Sequence, residues 1–236
     1  MPLYYEKKQL VVPGDLLAEG DYVPGDSTYK ENGRIYANRL GLVDYDGKRV
    51  QVVALKAFYI PNPGDTVIGK VVETMPNGWI VDIKAPHPAR LRASEVVERS
   101  FKPETTDLPN IFDVGDLIIA RVVAGDRTRD PLLTVREPGL GKIMRGHLVE
   151  ITPTKIPRVI GRKGSMVSMI KRETECQLTL GQNGMVLVNG RSPEGERLAI
   201  KALHKIEEES HTSGLTDRIT EMIKKEKITE KMTERK

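Results

Sequence analysis

Pro13-Gly14-Asp15, Pro24-Gly25-Asp26, Pro63-Gly64-Asp65 and Val114-Gly115-Asp116 punctuate the chain as turn signals. In each, glycine can take a positive φ and aspartate can bond nearby backbone; proline, where present, presets φ. All but the second run directly into an apolar stretch. Asp46-Gly47 and Asn77-Gly78 add two-residue hairpin signals, flanked by β-branched runs at 50–53 and 79–83. Residues 1–137 therefore read as a succession of short strands. Strands this short and apolar on both faces point to small closed barrels.

The pair of prolines in Ile60-Pro61-Asn62-Pro63 marks a boundary. It separates a small β domain, 1–60, from a second one, 62–137. The second has strands near 66–73, 79–83, 117–123 and 132–136, the size of a five-stranded OB-fold barrel. Residues 100–109 are polar and read as a loop. After Gly139-Leu140-Gly141 the pattern changes. A strand is expected at 147–151 and a helix over 158–175, broken at 161–164. A hairpin at 177–180 and 185–188 turns around Asn183-Gly184. Ser192-Pro193 then opens a helix with Leu198, Ala202 and Ile206 on one face. The order over 142–210 is βααββα. Residues 214–236 form a charged tail, in which Leu215, Ile219, Met222 and Ile223 support one more helix and the later Lys and Glu residues read as a solvated face. The expected fold is multidomain, mainly β and then α+β.

Composition narrows the chemistry. The 236 residues carry a net charge of +4, compatible with a polyanionic partner, but only 5% aromatics, so base stacking cannot supply most of any nucleic-acid affinity. The single cysteine, Cys176, excludes a disulfide framework and a cysteine-rich zinc site. His87, His147, His204 and His211 show no ligand spacing. No acidic cluster with metal spacing and no nucleophile–base pair stands out. The expectation is a protein with no metal, no cofactor and no catalytic residues. No apolar run approaches the roughly 18 residues of a bilayer span, and no signal core is present, so a cytoplasmic location is expected.

The most informative stretch is Val159-Ile160-Gly161-Arg162-Lys163-Gly164-Ser165-Met166-Val167-Ser168-Met169-Ile170. A G-x-x-G joins two short helices inside the βααββα order, and this combination resembles a KH domain. The physics is that of an anion site: a helix N-terminus presents unpaired N–H groups, and glycines let a sugar-phosphate backbone approach closely. Arg162 and Lys163 add charge at the same point. KH domains clamp about four nucleotides this way. Ile160, Val167, Ile170 and Leu178 are candidates for the apolar platform under the bases, and core packing is an equal reading for each.

In the middle domain, residues 64–73, 77–83 and 89–96 resemble the OB-fold RNA-binding domain of the ribosomal protein S-one class. That family usually shows an aromatic and then a histidine on its binding face. Here Ile80 and Arg92 hold those positions, which points to electrostatic contact in place of stacking. Trp79 stands next to the aromatic position and is a candidate RNA contact, with the core as its other destination. Lys84, Arg90, Arg92, Arg99, Lys102, Arg121, Arg127 and Arg129 could together form an electrostatic funnel.

The three-part order over residues 1 to about 210 resembles the KH-containing RNA-binding cap subunits of the archaeal RNA exosome. Residues 11–17 and 33–41 are similar to that family's N-terminal domain. The resemblance implies single-stranded RNA as ligand. It also implies three copies on a hexameric ring of phosphorolytic subunits, docked through the N-terminal domain, with RNA 3′ ends fed to catalytic sites in other chains. Polynucleotide phosphorylase also carries KH and S-one-type domains, but after phosphorolytic domains for which this chain has no room. A NusA-type factor carries two KH modules, and one suitable G-x-x-G occurs here.

Overall fold

The computed structural model describes residues 2–55, 58–96, 108–125, 129–210, 212 and 214–233, with side chains through 228. Arg99, Lys102, Arg127, His211 and most of the expected loop at 100–109 lie outside the described residues. The chain divides into two compact units, Met1–Ala57 and Phe58–Lys236. The boundary falls slightly before the proline pair, because Tyr59 is buried in the second unit and its hydroxyl donates to Asp65 at 2.8 Å.

The first unit holds β1 (Leu10–Val11), β2 (Leu16–Glu19), β3 (Val23–Pro24), β4 (Thr28–Glu31), β5 (Arg34–Ala37), β6 (Gly41–Asp46) and β7 (Arg49–Ala54). They form two sheets, β1-β6-β7-β3 and β2-β5-β4. Alternate residues of β5, β6 and β7 point inward, and Val11, Leu17, Ile35, Val43, Val50 and Val52 make the core.

Pro13-Gly14-Asp15, Pro63-Gly64-Asp65 and Val114-Gly115-Asp116 form the same turn. Gly14, Gly64 and Gly115 have φ of +95°, +92° and +99°. The following aspartates, Asp15, Asp65 and Asp116, each accept from the N–H three residues back, at 2.9, 3.2 and 2.8 Å. Each turn thus leads into a strand with its backbone already paired. A hydrogen bond from Lys142 holds the Asp116 carboxyl below the usual carboxylate range. The exception is Pro24-Gly25-Asp26, where the Gly25 N–H donates to Val50 across to β7.

The second unit opens with a barrel: β8 (Thr66–Met75), β9 (Gly78–Asp82), β10 (Ala89–Arg92), β11 (Leu117–Ala124) and β12 (Leu132–Thr134), followed by β13 (Gly141–Lys142). The sheet order is β12-β10-β9-β8-β11-β13, and β12 also pairs with β11, which closes five strands into a barrel. Two hairpin turns sit one residue away from the positions the sequence suggests. Asp46 pairs with Arg49, so the turn residues are Gly47-Lys48, with glycine first. Met75 pairs with Gly78, so Pro76-Asn77 make the turn and Gly78 begins β9. At Gly78 the neighbouring strand passes so close that a Cβ would lie 2.1 Å from the Leu91 carbonyl oxygen.

The remainder is β14 (His147–Glu150), α1 (Ile156–Ile160), α2 (Ser165–Thr174), β15 (Gln177–Leu180), β16 (Met185–Asn189), α3 (Pro193–Glu208) and α4 (Leu215–Thr233). The antiparallel sheet β14-β16-β15 is packed against the helices in the βααββα order of a KH domain. The first helix starts two residues earlier than expected, since Pro157 fits a first helical turn. Ser192 caps α3 by accepting from Gly195 N–H at 3.1 Å. The charged tail is more than a solvated face. In α4, Leu215, Ile219 and Ile223 enter the same core as Ala199, Leu203 and Ile206 of α3. Among the described residues no helix is long and apolar enough to cross a membrane.

Candidate nucleic-acid interface

The G-x-x-G loop is built by backbone conformation. Helix α1 ends at Gly161 with φ +73°, Lys163 takes φ +51° and Gly164 φ +79°, so the chain reverses within four residues before α2 begins. The two glycines differ in why they are needed. A Cβ on Gly161 would lie 2.7 Å from the Met166 backbone nitrogen, whereas one on Gly164 would meet nothing nearer than 4.0 Å. Gly164 therefore faces open space, where a ligand backbone can lie. No side chain caps the N-terminus of α2, in contrast to α3. The Ser165 N–H is taken by the Arg162 carbonyl, and no side chain claims the donors that follow it at this positive helix end. The side chains of Arg162 and Lys163 are exposed and make no hydrogen bond or ion pair among the described residues. Ile160 and Val167 flank the loop, half-buried against the domain core. Ile170 and Leu178 are buried within that core and do not serve as platform residues.

This asymmetry has a measurable consequence. Gly161→Ala should cost about 2–4 kcal/mol, from the left-handed conformation together with the collision. Gly164→Ala should cost about 1 kcal/mol, from conformation alone. Urea unfolding of the two variants checks the order.

The barrel contributes a second surface. On β10, Ala89 and Leu91 point into the core while Arg90 and Arg92 point out. Arg90 stands opposite Ile80 of β9, and Arg92 stands opposite Gly78. Ile80 is half-buried on this outer face, at the position where the S-one class carries its aromatic. Met75, Asn77, Arg90, Arg92, Asp130 and Leu132 line a cleft of ≈ 340 Å³, whose floor is formed by Gly78, Leu91 and the almost fully covered Trp79. Asp130 holds the Arg90 guanidinium at 2.9 and 3.0 Å, which fixes its direction. Arg92 and Arg129 are exposed with no side-chain partner among the described residues.

Three residues expected at the RNA surface are placed elsewhere. Trp79 is 1% exposed; it stacks edge-on against Phe112 at 5.1 Å and donates its indole N–H to the Phe112 carbonyl at 2.8 Å. Its side chain belongs to the core, because β9 alternates and Trp79 points inward beside Leu91, its cross-strand neighbour on β10. Lys84 lies past the far end of β9, 3.7 Å from Glu150 of β14. Arg121 pairs with Glu137 at 2.9 Å and does not line the cleft. Glu150 beside Lys84 and Glu137 beside Arg121 offset the charge each would offer to phosphate, as Asp130 does for Arg90; what separates Lys84 and Arg121 from Arg90 is their place outside the cleft. Among the described residues of the expected funnel, Arg90 and Arg92 lie together at the cleft, with Arg129 next to Asp130 in the chain. Leu132, which no binding motif in the sequence marks, and Asn77, singled out there only as a turn residue, join Arg90 and Arg92 in the cleft.

Comparison with known proteins agrees with this three-part architecture. Residues 8–56 match the family model "Exosome RNA binding protein RRP4 N-terminal domain", residues 58–124 match "RRP4, S1 domain", and residues 147–208 match "KH domain". A protein of Pyrococcus abyssi named exosome complex component Rrp4 is 44% identical over 223 residues, 94% of this chain and 84% of that protein. The protein of the same name from Methanothermus fervidus is 43% identical over 221 residues, 94% of this chain and 97% of its own length. A crystal structure assigned to an exosome complex RNA-binding protein superposes with a TM-score of 0.70 at 42% identity, covering 74% of this chain and 99% of that one. With its N-terminal, S1 and KH parts in this order and relatives similar over nearly its whole length, the chain belongs to the Rrp4 family of exosome components.

Proposed function

We propose that the chain is a non-catalytic RNA-binding subunit of an exosome complex, which holds single-stranded RNA and passes its 3′ end to phosphorolytic subunits. The observation that carries the reading is the loop at Gly161–Gly164. Two unpaired cations, an uncapped helix start and a glycine facing open space converge on one point. That constellation suits a phosphodiester backbone and lacks groups for bond cleavage. The barrel cleft adds Arg92 and an oriented Arg90 for further contacts. Association with a hexameric ring, in three copies docked through residues 1–57, follows from the family resemblance. Work in the cytoplasm belongs to the same proposal.

The test is direct. The purified chain should bind unstructured RNA with an affinity that falls steeply with salt, since each phosphate contact releases condensed counterions. With inorganic phosphate it should release no nucleoside diphosphate until phosphorolytic ring subunits are added. Phosphorolysis by this chain alone would refute the assignment, as would salt-independent binding.

A further inference from the structure

The βααββα order of the KH domain is complete at Glu208, yet the chain adds α4. Through Leu215, Ile219 and Ile223 this helix enters the core that also holds Met166, Met169 and Ile170 of α2. It lies against α2, the helix that leaves the G-x-x-G loop, as well as against α3. The joint between α3 and α4 is closed by its own polar groups. Thr212 donates twice to the Glu209 carbonyl, from its N–H at 3.0 Å and from its hydroxyl at 2.9 Å. Arg218 of α4 pairs with the Glu209 carboxylate at 3.0 Å and also donates to the Thr212 hydroxyl. With Thr212 fixed in this way, its carbonyl accepts from the Arg158 guanidinium at 2.6 Å.

Arg158 belongs to α1, the helix that enters the loop. Ile156–Ile160 is only five residues long, too short to persist on its own backbone bonds. Ile156 and Val159 anchor its inner side in the core. Just before it, Thr152 donates to the Glu207 carboxylate of α3 from its N–H at 2.7 Å and its hydroxyl at 2.6 Å, and Lys155 donates to the Glu207 carbonyl at 2.7 Å. The last turn of α1, which runs straight into Gly161, has Arg158 as its polar tie.

We propose that α4 and its joint with α3 are a frame that presets the G-x-x-G loop for RNA, with Arg158 as the positioning residue. Helix α1 sets one end of the loop and α2 the other, and the frame touches both. A loop already held in its binding geometry spares the RNA the cost of ordering it. The proposal rests on the RNA-binding reading above. It differs from a direct phosphate contact by Arg158 in one respect: a positioning residue leaves the number of neutralised phosphates unchanged.

The test uses Arg158→Met, Arg218→Met and the double variant in the full chain. Hydrogen exchange without RNA reads the frame alone. Amides of residues 159–168 should exchange about fivefold faster or more in both single variants, while those of 198–206 keep their wild-type rates. Fluorescence anisotropy reads the consequence, with an unstructured oligouridylate of about 8 nucleotides, enough for a groove that clamps about four. Each single variant should lose about fivefold in affinity, with the slope of log affinity against log salt unchanged. The double variant should bind no more weakly than the weaker single, since both arginines act through Thr212. Wild-type exchange rates at the loop overturn the proposal, as does unchanged affinity. A slope smaller by about 0.7 overturns it too, because it marks the arginine as a phosphate contact. So do losses that multiply in the double variant, or collapse of the fold, since the bonds would then act separately or serve stability. A wild-type chain that binds no RNA overturns the RNA-binding reading itself, which the exchange measurement does not depend on.

Discussion

Trp79→Ala should destabilise the barrel by about 3–5 kcal/mol, the cost of emptying an aromatic-sized site in a packed core. The indole fills the barrel between Leu91 and Phe112, and its removal also leaves the Phe112 carbonyl without its donor. That is a large fraction of the stability of an ordinary domain. Denaturant melts followed by circular dichroism should show an early transition, and Trp79→Phe should recover most of the packing while still lacking the hydrogen bond. The alternative, that Trp79 stacks on a base, predicts an unchanged melt with weakened RNA binding. A normal midpoint for Trp79→Ala would return the residue to the RNA face.

The second large effect belongs to the KH loop. Replacing both Arg162 and Lys163 with Asp should lower RNA affinity about a hundredfold or more at low salt, as two charge-assisted contacts become repulsions. The slope of log affinity against log salt should shrink by about 1.4, which is two phosphates at about 0.7 each for a single strand. Loss should be similar across RNA sequences, because phosphate contacts position the strand and do not read it. The fold should survive, since both side chains are exposed and unpaired, and Asp tolerates the left-handed conformation that Lys163 adopts. An unchanged salt slope would show that phosphates do not bind at this loop.

Much of the architecture was readable because it is written in local chemistry. The Gly-Asp turns at 14–15, 64–65 and 115–116 specify their own backbone closure, with glycine and aspartate performing the same task each time. The Ser192 cap and the Leu198, Ala202, Ile206 stripe likewise declare a helix within a few residues. The G-x-x-G loop was legible for the same reason, because Gly161 to Gly164 break a helical run at a defined spacing. Charged residues of the barrel were harder to assign. Arg90, Arg92 and Arg121 look alike along the chain, and only the fold sets Asp130 beside one of them and Glu137 beside another. Trp79 and Ile80 show the same ambiguity: strand alternation sends one inward and one outward, and a hairpin turn shifted by a single residue decides which.

The sequence by itself determined the order of elements, the turns between them and the phosphate-ready loop, since each depends on residues within a few positions of one another. Tertiary structure alone decided where the apolar surplus went. The run around Ile68 and the strand Met185–Asn189 are hydrophobic on both faces, which pattern alone reads as a barrel or a buried sheet. In the folded chain the second face of each covers the other, and Asn183, to local reading only half of an Asn-Gly turn signal, spends its side chain across the seam. A pairing over more than a hundred residues leaves no local trace, because its stabilisation exists only once both surfaces have formed.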